Sequence, residues 1–260
     1  MIFLKGHGTE NDFVVLPDPD GALDLTPELV TRLCDRRAGI GGDGVLRVVR
    51  SAHVPEADPS TEWFMDYRNA DGSVAEMCGN GVRVYARYLV AAGLVQPGHL
   101  ALATRGGVKE VDVPLDGDVS VDMGPAVVGE PVDVDGTSAT FVDMGNPHAV
   151  VPVVSVEGLG ELKTSRLDLN VEYVEDLSPT AIRMRVHERG VGETRSCGTG
   201  ACAAVVATAL RTGTPRGTTY DVEVPGGRLA VTWREDGHVV LSGPAVLLAE
   251  GTVKPEWLTS

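Results

Sequence analysis

The chain contains one motif twice, and this repetition constrains its fold more than any other sequence feature. Each copy is a cysteine followed by Gly-x-Gly and a run of helix-forming residues: Cys78-Gly79-Asn80-Gly81 and Cys197-Gly198-Thr199-Gly200. Two further matches follow, Gly106-Gly107 with Gly226-Gly227 and Gly124-Pro125-Ala126 with Gly243-Pro244-Ala245. The offset is 119 or 120 residues in every case. A constant offset predicts one structural unit used twice.

The composition of each half predicts its architecture. Short β-branched strands surround one long helix, and the helix predicted over 201–210 is apolar nearly all round, so it should be buried on every side. In the helix predicted over 82–92, Arg83 and Arg87 lie four residues apart and predict one polar stripe. We therefore predict an α/β (α+β) fold with two pseudo-symmetric domains, each a curled, mostly antiparallel β-sheet or barrel around a central helix. The domains are expected at 1–126 and 127–248, with the active site in the cleft between them.

The first 44 residues contain three local signals. Apolar runs on either side of the polar segment Gly6–Asp12 predict two strands, and a seven-residue turn between them is either functional or a solvated loop. Thr26-Pro27-Glu28 predicts a helix start, with the helix running to about Arg37. The glycine cluster Gly39–Gly44 is not a phosphate loop, because no Lys-Ser/Thr follows it and a strand comes next.

Charge and hydropathy exclude several classes of partner. The formal net charge of the 260 residues is −15, which argues against a nucleic-acid surface or an anionic membrane surface. No apolar run approaches the length of a membrane span, and the amino terminus lacks a signal-peptide pattern. We therefore expect a cytoplasmic protein with no nucleic-acid or membrane partner.

The four cysteines are too few and too scattered for a disulfide framework. Cys34 and Cys202 are expected to be small buried hydrophobes. A zinc site would need Cys-x-x-Cys or clustered histidines, and the six histidines are dispersed, so no metal is expected.

Cys78 and Cys197 are the candidates for chemistry. A cysteine at a helix start faces unpaired N–H groups and a partial positive charge, which favour a thiolate and a bound carboxylate. The helix starts should therefore lower the pKa of both thiols, and two cysteines facing each other would titrate as a coupled pair. Such a pair can invert a carbon stereocentre, with one sulfur as base and the other as acid. Acyl transfer would leave the second cysteine unexplained, whereas a dithiol redox pair stays possible and is expected to inactivate the enzyme.

The chain resembles the diaminopimelate epimerases over essentially its whole length. The motifs that carry the resemblance are Lys5-Gly6-His7-Gly8-Thr9-Glu10-Asn11-Asp12-Phe13, Asn69-Ala70-Asp71-Gly72-Ser73, Met77 to Gly81, Gly145-Asn146-Pro147-His148, Asn170-Val171-Glu172, and Glu188-Arg189-Gly190-Val191-Gly192-Glu193-Thr194 leading into Cys197. Proline racemases are similar around both cysteines. The segment before the second cysteine and the Asn69–Ser73 turn are similar to the diaminopimelate enzymes.

The resemblance implies a function and a set of site residues. It implies a cofactor-independent epimerase that interconverts LL- and meso-diaminopimelate for lysine and peptidoglycan synthesis, with Cys78 and Cys197 as the acid/base pair. Backbone N–H groups of Gly79-Asn80 and Gly198-Thr199 would hold the reacting carboxylate. Side chains that would line the site are Asn11, Asn69, Asn146, Asn170, Glu188 and Arg189, while His148 and Glu188 resemble positions that tune the cysteines.

The resemblance also implies a homodimer and a C-terminal strand, from about 249 to 260, that packs on the first domain. Gly44 stands where some members carry a glutamine that contacts substrate. Two alternatives remain at this stage. One is a proline or hydroxyproline racemase, and the other is a non-catalytic amino-acid-binding protein of the same fold.

Overall fold

The structure is a computed structural model that describes residues 1–258, and it divides the chain into two compact units. One unit contains residues 1–119 and 244–258, and the other contains residues 120–243. Among residues 1–258, no helix is long and apolar enough to cross a lipid bilayer.

The structure has eighteen strands and four α-helices within the described residues. The strands are β1 (Ile2–Gly8), β2 (Asn11–Pro17), β3 (Gly44–Arg50), β4 (Trp63–Asn69), β5 (Gly98–Thr104), β6 (Gly107–Val113), β7 (Val119–Pro125), β8 (Val127–Val128), β9 (Val132–Val134), β10 (Thr137–Asp143), β11 (Pro147–Pro152), β12 (Asn170–Ser178), β13 (Ala181–Glu188), β14 (Gly192–Thr194), β15 (Thr219–Val224), β16 (Gly227–Trp233), β17 (His238–Gly243) and β18 (Val246–Thr252). The helices are α1 (Pro27–Cys34), α2 (Gly79–Ala91), α3 (Gly198–Thr212) and α4 (Pro255–Leu258). Short 3-10 turns lie at Ser51–His53 and Glu157–Leu159.

The first unit is a curled sheet around α2. From β1 to β6 the strands pair in chain order, alternating antiparallel and parallel: β1 with β2 antiparallel, β2 with β3 parallel, β3 with β4 antiparallel, β4 with β5 parallel, and β5 with β6 antiparallel. β18 adds to the free side of β1. α2 contacts β1 to β4, β6 and β18, so the sheet wraps around the helix.

The second unit repeats this pattern around α3. β10 with β11 is antiparallel, β11 with β12 parallel, β12 with β13 antiparallel, β13 with β15 parallel, and β15 with β16 antiparallel. α3 contacts β10 to β13 and β15 to β17. The same order of pairings around a central helix confirms the predicted duplication, and the described strands form open curled sheets rather than closed barrels.

The two central helices differ in how they fill their units. In α3 every side chain from Ala201 to Ala207 is buried, as its apolar sequence predicts, and each fully buried valine stabilises the fold by about 1.5–3 kcal/mol. The polar stripe predicted on α2 is wrong at Arg83, which is fully buried. Its guanidinium donates to the carbonyls of Gly79 and Pro244, so the charge is solvated by backbone inside the unit.

The turn between β1 and β2 is tighter than the sequence predicts. Gly8 pairs with Asn11, so only Thr9 and Glu10 connect the strands, with φ of 50° and 62°. Positive φ at both central positions matches the right-handed strand twist and is typical of type I′ hairpins. Thr9 is buried, and its hydroxyl accepts a hydrogen bond from Arg83 Nη2 at 3.4 Å. The expected seven-residue loop is therefore a two-residue turn.

The other boundaries shift by a few residues. Helix α1 begins as predicted, with the Thr26 hydroxyl accepting from the N–H of Leu29, but ends at Cys34 because Asp35 is extended. The C-terminal strand begins at Val246 and ends at Thr252, and Pro255 then starts a helical turn where the sequence analysis expected strand. Residues 259 and 260 of that expected strand lie outside the described residues.

Candidate active site

Both cysteines of the repeated motif cap a helix in the same way. Cys78 precedes α2 with φ −143° and ψ 117°, and Cys197 precedes α3 with φ −121° and ψ 116°. The N–H of Gly81 donates to Cys78 Sγ at 3.4 Å, and the N–H of Gly200 donates to Cys197 Sγ at 3.4 Å. Each sulfur therefore accepts one of the unpaired N–H groups of a helix start, as the sequence predicts.

Cys78 lies in a cluster of amide side chains. Its Sγ is 3.6 Å from Oδ1 of Asn11, and Asn80 Nδ2 donates to the same oxygen at 3.1 Å. Cys78 is half-buried, whereas Asn80 is buried. The structure thus brings together three predicted site residues from β2 and from the start of α2.

A charged network fixes Asn11. Its Nδ2 donates to Asp43 Oδ2 at 2.7 Å, and Arg36 bridges Asp43 and Asp12 with contacts of 2.7 Å to each. Burial alone would raise the pKa of Asp12, but hydrogen bonds from Arg36 and Lys5 lower it to about 2. Asp43 is the one carboxylate within the glycine cluster Gly39–Gly44 and is not among the predicted site residues, because that cluster has no phosphate-loop pattern.

Asn69 ends β4, next to this network. The N–H of the following residue, Ala70, donates to the carbonyl of Asp43 at 3.1 Å, while Asn69 Nδ2 donates to Ser73 Oγ at 3.0 Å. Gly44 pairs with Asn69 across β3 and β4. A Cβ at Gly44 would lie 2.5 Å from the carbonyl oxygen of Arg68, so this position has no room for a side chain.

Cys197 lies in a drier and more acidic setting. Burial raises the pKa of its thiol well above the ordinary value, and the carboxylates of Glu188 and Glu172 raise it further. The Thr199 hydroxyl, 3.5 Å from Sγ, and the Gly200 N–H act in the opposite direction. The helix-start N–H of Gly200 lowers this pKa, as expected, but desolvation outweighs it, so the net shift is upward and not downward.

His148 and Glu172 form a fully buried pair beside α3. His148 Nδ1 donates to Glu172 Oε1 at 2.7 Å, and its Nε2 lies 3.1 Å from Asn146 Oδ1. The sequence analysis gave Glu172 no role. The available signal was that Glu172 is the one carboxylate among the mostly apolar residues 170–174, which begin β12.

The remaining predicted residues lie at the start of β12 and at the end of β13. Asn170 lies beside His148 in the β11–β12 register, and its Oδ1 accepts from the N–H of Arg189 at 3.0 Å. The Thr194 hydroxyl donates to Glu188 Oε1. The Arg189 side chain is exposed.

Several site residues occupy equivalent places in the two units. In the first unit, Phe13 pairs with Gly44, the first residue of β3, and Asn11 lies two residues before Phe13. In the second unit, His148 pairs with Asn170, the first residue of β12, and Asn146 lies two residues before His148. Asn69 ends β4, and Glu188 ends β13. Each unit therefore offers a sulfur and first-turn N–H groups at a helix start, with polar side chains at the ends of equivalent strands.

Comparison with known proteins identifies relatives over nearly the whole chain. The sequence profile described as "Diaminopimelate epimerase" matches residues 3–129 and 140–248. The chain is 56% identical to diaminopimelate epimerase of Streptomyces coelicolor, over 99% of this chain and 97% of that protein. It is 51% identical to the Corynebacterium glutamicum enzyme, over 97% and 98%. It is also 49% identical to that of Thermobifida fusca, over 98% of each.

Solved structures share the fold at low sequence identity. A PhzF-family phenazine biosynthesis protein of Bacillus anthracis matches with a TM-score of 0.75 at 16% identity, over 98% of this chain and 99% of that one. A hydroxyproline epimerase from Agrobacterium vitis matches with a TM-score of 0.68 at 14% identity, over 96% and 91%. These likenesses concern the fold alone, whereas the profile match and the 49–56% identities show the family. The chain belongs to the diaminopimelate epimerase family.

Proposed function

We propose that this chain interconverts LL- and meso-diaminopimelate without a cofactor, with Cys78 and Cys197 as the acid and base. The observation that carries the proposal is the matched placement of two sulfurs, each accepting a helix N–H at 3.4 Å in one of two equivalent units. A two-base inversion needs one group on each face of the α-carbon. One sulfur, as thiolate, removes the α-proton, and the other, as thiol, delivers a proton to the opposite face. The reverse reaction exchanges their roles.

The helix starts supply the second part of the mechanism. The N–H groups of Gly79-Asn80 and Gly198-Thr199 would bind the carboxylate on the reacting carbon. Negative charge moves into that carboxylate as the α-proton leaves, and preorganised N–H donors stabilise it.

The polar side chains would position the rest of the substrate. Amide oxygens of Asn11, Asn69, Asn146 and Asn170 suit an ammonium group, and the exposed guanidinium of Arg189 suits the distal carboxylate. His148 and Glu188 would adjust the protonation of Cys197. Burial is the largest cause of the raised pKa of Cys197, and the carboxylate of Glu188 is the next largest, which supports that role.

The alternative functions have less support. A proline racemase and a hydroxyproline epimerase share the fold at only 14–16% identity, against 49–56% for the diaminopimelate epimerases. A non-catalytic binding protein would not need two cysteines with the same cap geometry. Turnover of proline, hydroxyproline and LL-diaminopimelate by the same preparation compares the three functions directly.

Heavy water tests the two-base mechanism. LL-diaminopimelate is converted in deuterated buffer, and the reaction is stopped early. With separate bases, the delivering thiol has exchanged with solvent, so the new meso product carries deuterium at the inverted carbon while remaining LL substrate stays almost unlabelled. Product that retains mostly protium would show a single base and would refute the Cys78/Cys197 assignment.

We also propose a cytoplasmic enzyme of lysine and peptidoglycan precursor synthesis. The four cysteines are free thiols, and a mechanism that depends on free thiols suits a reducing compartment.

A homodimer is the assembly we propose, formed through the outer face of β1 and β18. Ile2 pairs with Thr252, and Leu248 is the residue of β18 that the register shift between Lys5 and Gly6 leaves without a partner in β1. Ile2 is 61% exposed and Leu248 is 67% exposed. A second copy of this chain would cover these apolar side chains.

A further inference from the structure

Glu172 lies at a buried position, where a carboxylate destabilises the folded state. It is fully buried on β12, and its Oε1 accepts a hydrogen bond from His148 Nδ1 at 2.7 Å. Its Oε2 is also buried and accepts no hydrogen bond from any residue in 1–258. A buried carboxylate oxygen without a donor destabilises a fold, so this side chain is not explained by stability.

The carboxylate lies against the first turn of α3, beside the sulfur of Cys197. A Cβ added at Gly200 would be 2.6 Å from Glu172 Oε1 and 3.3 Å from Cys197 Sγ. Gly200, the last glycine of the second cysteine motif, has no side chain, and the carboxylate of Glu172 occupies the space where one would lie.

The first unit provides an internal comparison. Leu46 is the third residue of β3, as Glu172 is of β12, and a Cβ at Gly81 would be 3.2 Å from Leu46 Cδ2. Phe13 pairs with the first residue of β3, as His148 pairs with the first residue of β12. An apolar Phe-Leu pair thus occupies the place beside Cys78 that the His-Glu pair occupies beside Cys197. The helix start forms equally well on the apolar pair, so the ionisable pair is not needed to build it.

We propose that Glu172 is a positioning residue that disfavours the thiolate form of Cys197, so that Cys197 begins the catalytic cycle as the proton donor. The inference rests on the proposed function in that Cys197 is one of the acid/base pair. A negative charge near the sulfur opposes the formation of a second one.

The titratable groups that face Cys197 come from three strands. Glu172 lies on β12, Glu188 ends β13, and His148 on β11 acts through its bond to Glu172. Burial is the largest cause of the raised Cys197 pKa, followed by Glu188 and then Glu172. Removing the Glu172 charge should therefore lower this pKa without returning it to the ordinary value.

The test measures the thiol itself and needs no turnover. Cys197 is alkylated with iodoacetamide across a pH series in a Cys78→Ala background, and mass spectrometry resolves its modification from that of Cys34 and Cys202. Glu172→Gln should move the midpoint down by about one pH unit, which makes alkylation about tenfold faster below the midpoint. Glu175→Gln is the matched control, because Glu175 is on the same strand, largely buried at 16% side-chain exposure, and paired with Arg183. It should leave the midpoint unchanged.

A second variant tests the same proposal in case Glu172→Gln does not fold. The double change His148→Phe with Glu172→Leu copies the pair of the first unit, and replacing both partners of a buried pair by apolar residues is often tolerated. It should lower the midpoint in the same direction. An unchanged midpoint in either folded variant overturns the proposal. If Cys197 proved dispensable for epimerisation, the proposed function would fail while the alkylation result would still report on Glu172.

Discussion

The N–H of Gly200 donates to the sulfur of Cys197 at 3.4 Å, so one hydrogen bond serves both the start of helix α3 and the reactive group. The bond satisfies a helix N–H that would otherwise lack an intrahelical partner, and it favours negative charge on the sulfur. Structure and chemistry can nevertheless be separated by mutation, because a helix cap contributes little compared with a catalytic acid or base.

Alanine at either motif cysteine should abolish activity and spare the fold. Cys78→Ala and Cys197→Ala should each lower kcat/KM for LL-diaminopimelate by at least about 100- to 10,000-fold, since each removes one proton-transfer group. Loss of the cap should cost about 1 kcal/mol of the free energy of unfolding, measured in urea. Cys202→Ala, at a fully buried position, should keep its activity and lose about 1–2 kcal/mol. Near-wild-type turnover of either motif variant would contradict the assignment.

The alkaline limb of the pH profile of kcat/KM should lie at high pH. Cys197 acts as the acid only while protonated, so activity is lost as pH rises through its pKa. Burial, Glu188 and Glu172 raise that pKa, so the limb should lie above about 8.5, the value of an unperturbed thiol. Glu188→Gln should move the limb to lower pH. An alkaline limb that does not move in this variant would show that Glu188 has no influence on Cys197.

Asp12 should stabilise the first unit in a pH-dependent way. Its pKa in the folded protein is about 2, below the unfolded value of about 3.9, because hydrogen bonds from Arg36 and Lys5 outweigh burial. Its contribution is therefore present above pH 4 and is lost as pH falls toward 2. Asp12→Asn should cost about 1–2 kcal/mol at pH 7, with the difference shrinking in acid. Asp20→Asn, at an exposed position, should show no such trend.

A charge on the outer face of β18 should separate the proposed homodimer. Leu248→Glu should shift the sedimentation coefficient to that of a monomer, because a dimer would have to bury the carboxylate. Leu167→Glu is the control, since Leu167 is 69% exposed against 67% for Leu248 and belongs to the other unit. If both variants sediment like the unmodified protein, the interface lies elsewhere.

Glycine at the hairpin tip should stabilise the protein. Glu10 has φ 62°, which costs a non-glycine residue about 1–2 kcal/mol. After allowance for the flexibility of glycine in the unfolded chain, Glu10→Gly should gain about 0.5–1 kcal/mol in urea unfolding. The same change at Glu28, an exposed position in α1, should instead cost about 1 kcal/mol. Opposite signs for the two variants are expected, and a loss at Glu10 would contradict the prediction.

The sequence predicted features that depend on local pattern or on repetition. Helix starts at Cys78 and Cys197 and the duplicated α/β unit follow from short motifs at one offset, which the structure confirms. Features that depend on distant contacts were missed. Arg83 is buried because the carbonyl of Pro244, 161 residues away, accepts from it. The tight hairpin was missed because Thr9-Glu10 is not a common type I′ pair. Glu172 was missed because its importance comes from its closeness to Gly200, which is distant in the sequence.

The pairing of β1 with β18 has a consequence for the order of folding during synthesis. The amino group of Met1 donates to the carbonyl of Val253 at 3.2 Å, and the N–H of Val253 donates back to Met1 at 2.8 Å. The first unit therefore cannot acquire its last strand until β18 has been synthesised and has left the ribosome. Residues 120–243 form a contiguous unit and can complete their sheet sooner. In the growing chain, the half that is translated second should be the first to finish.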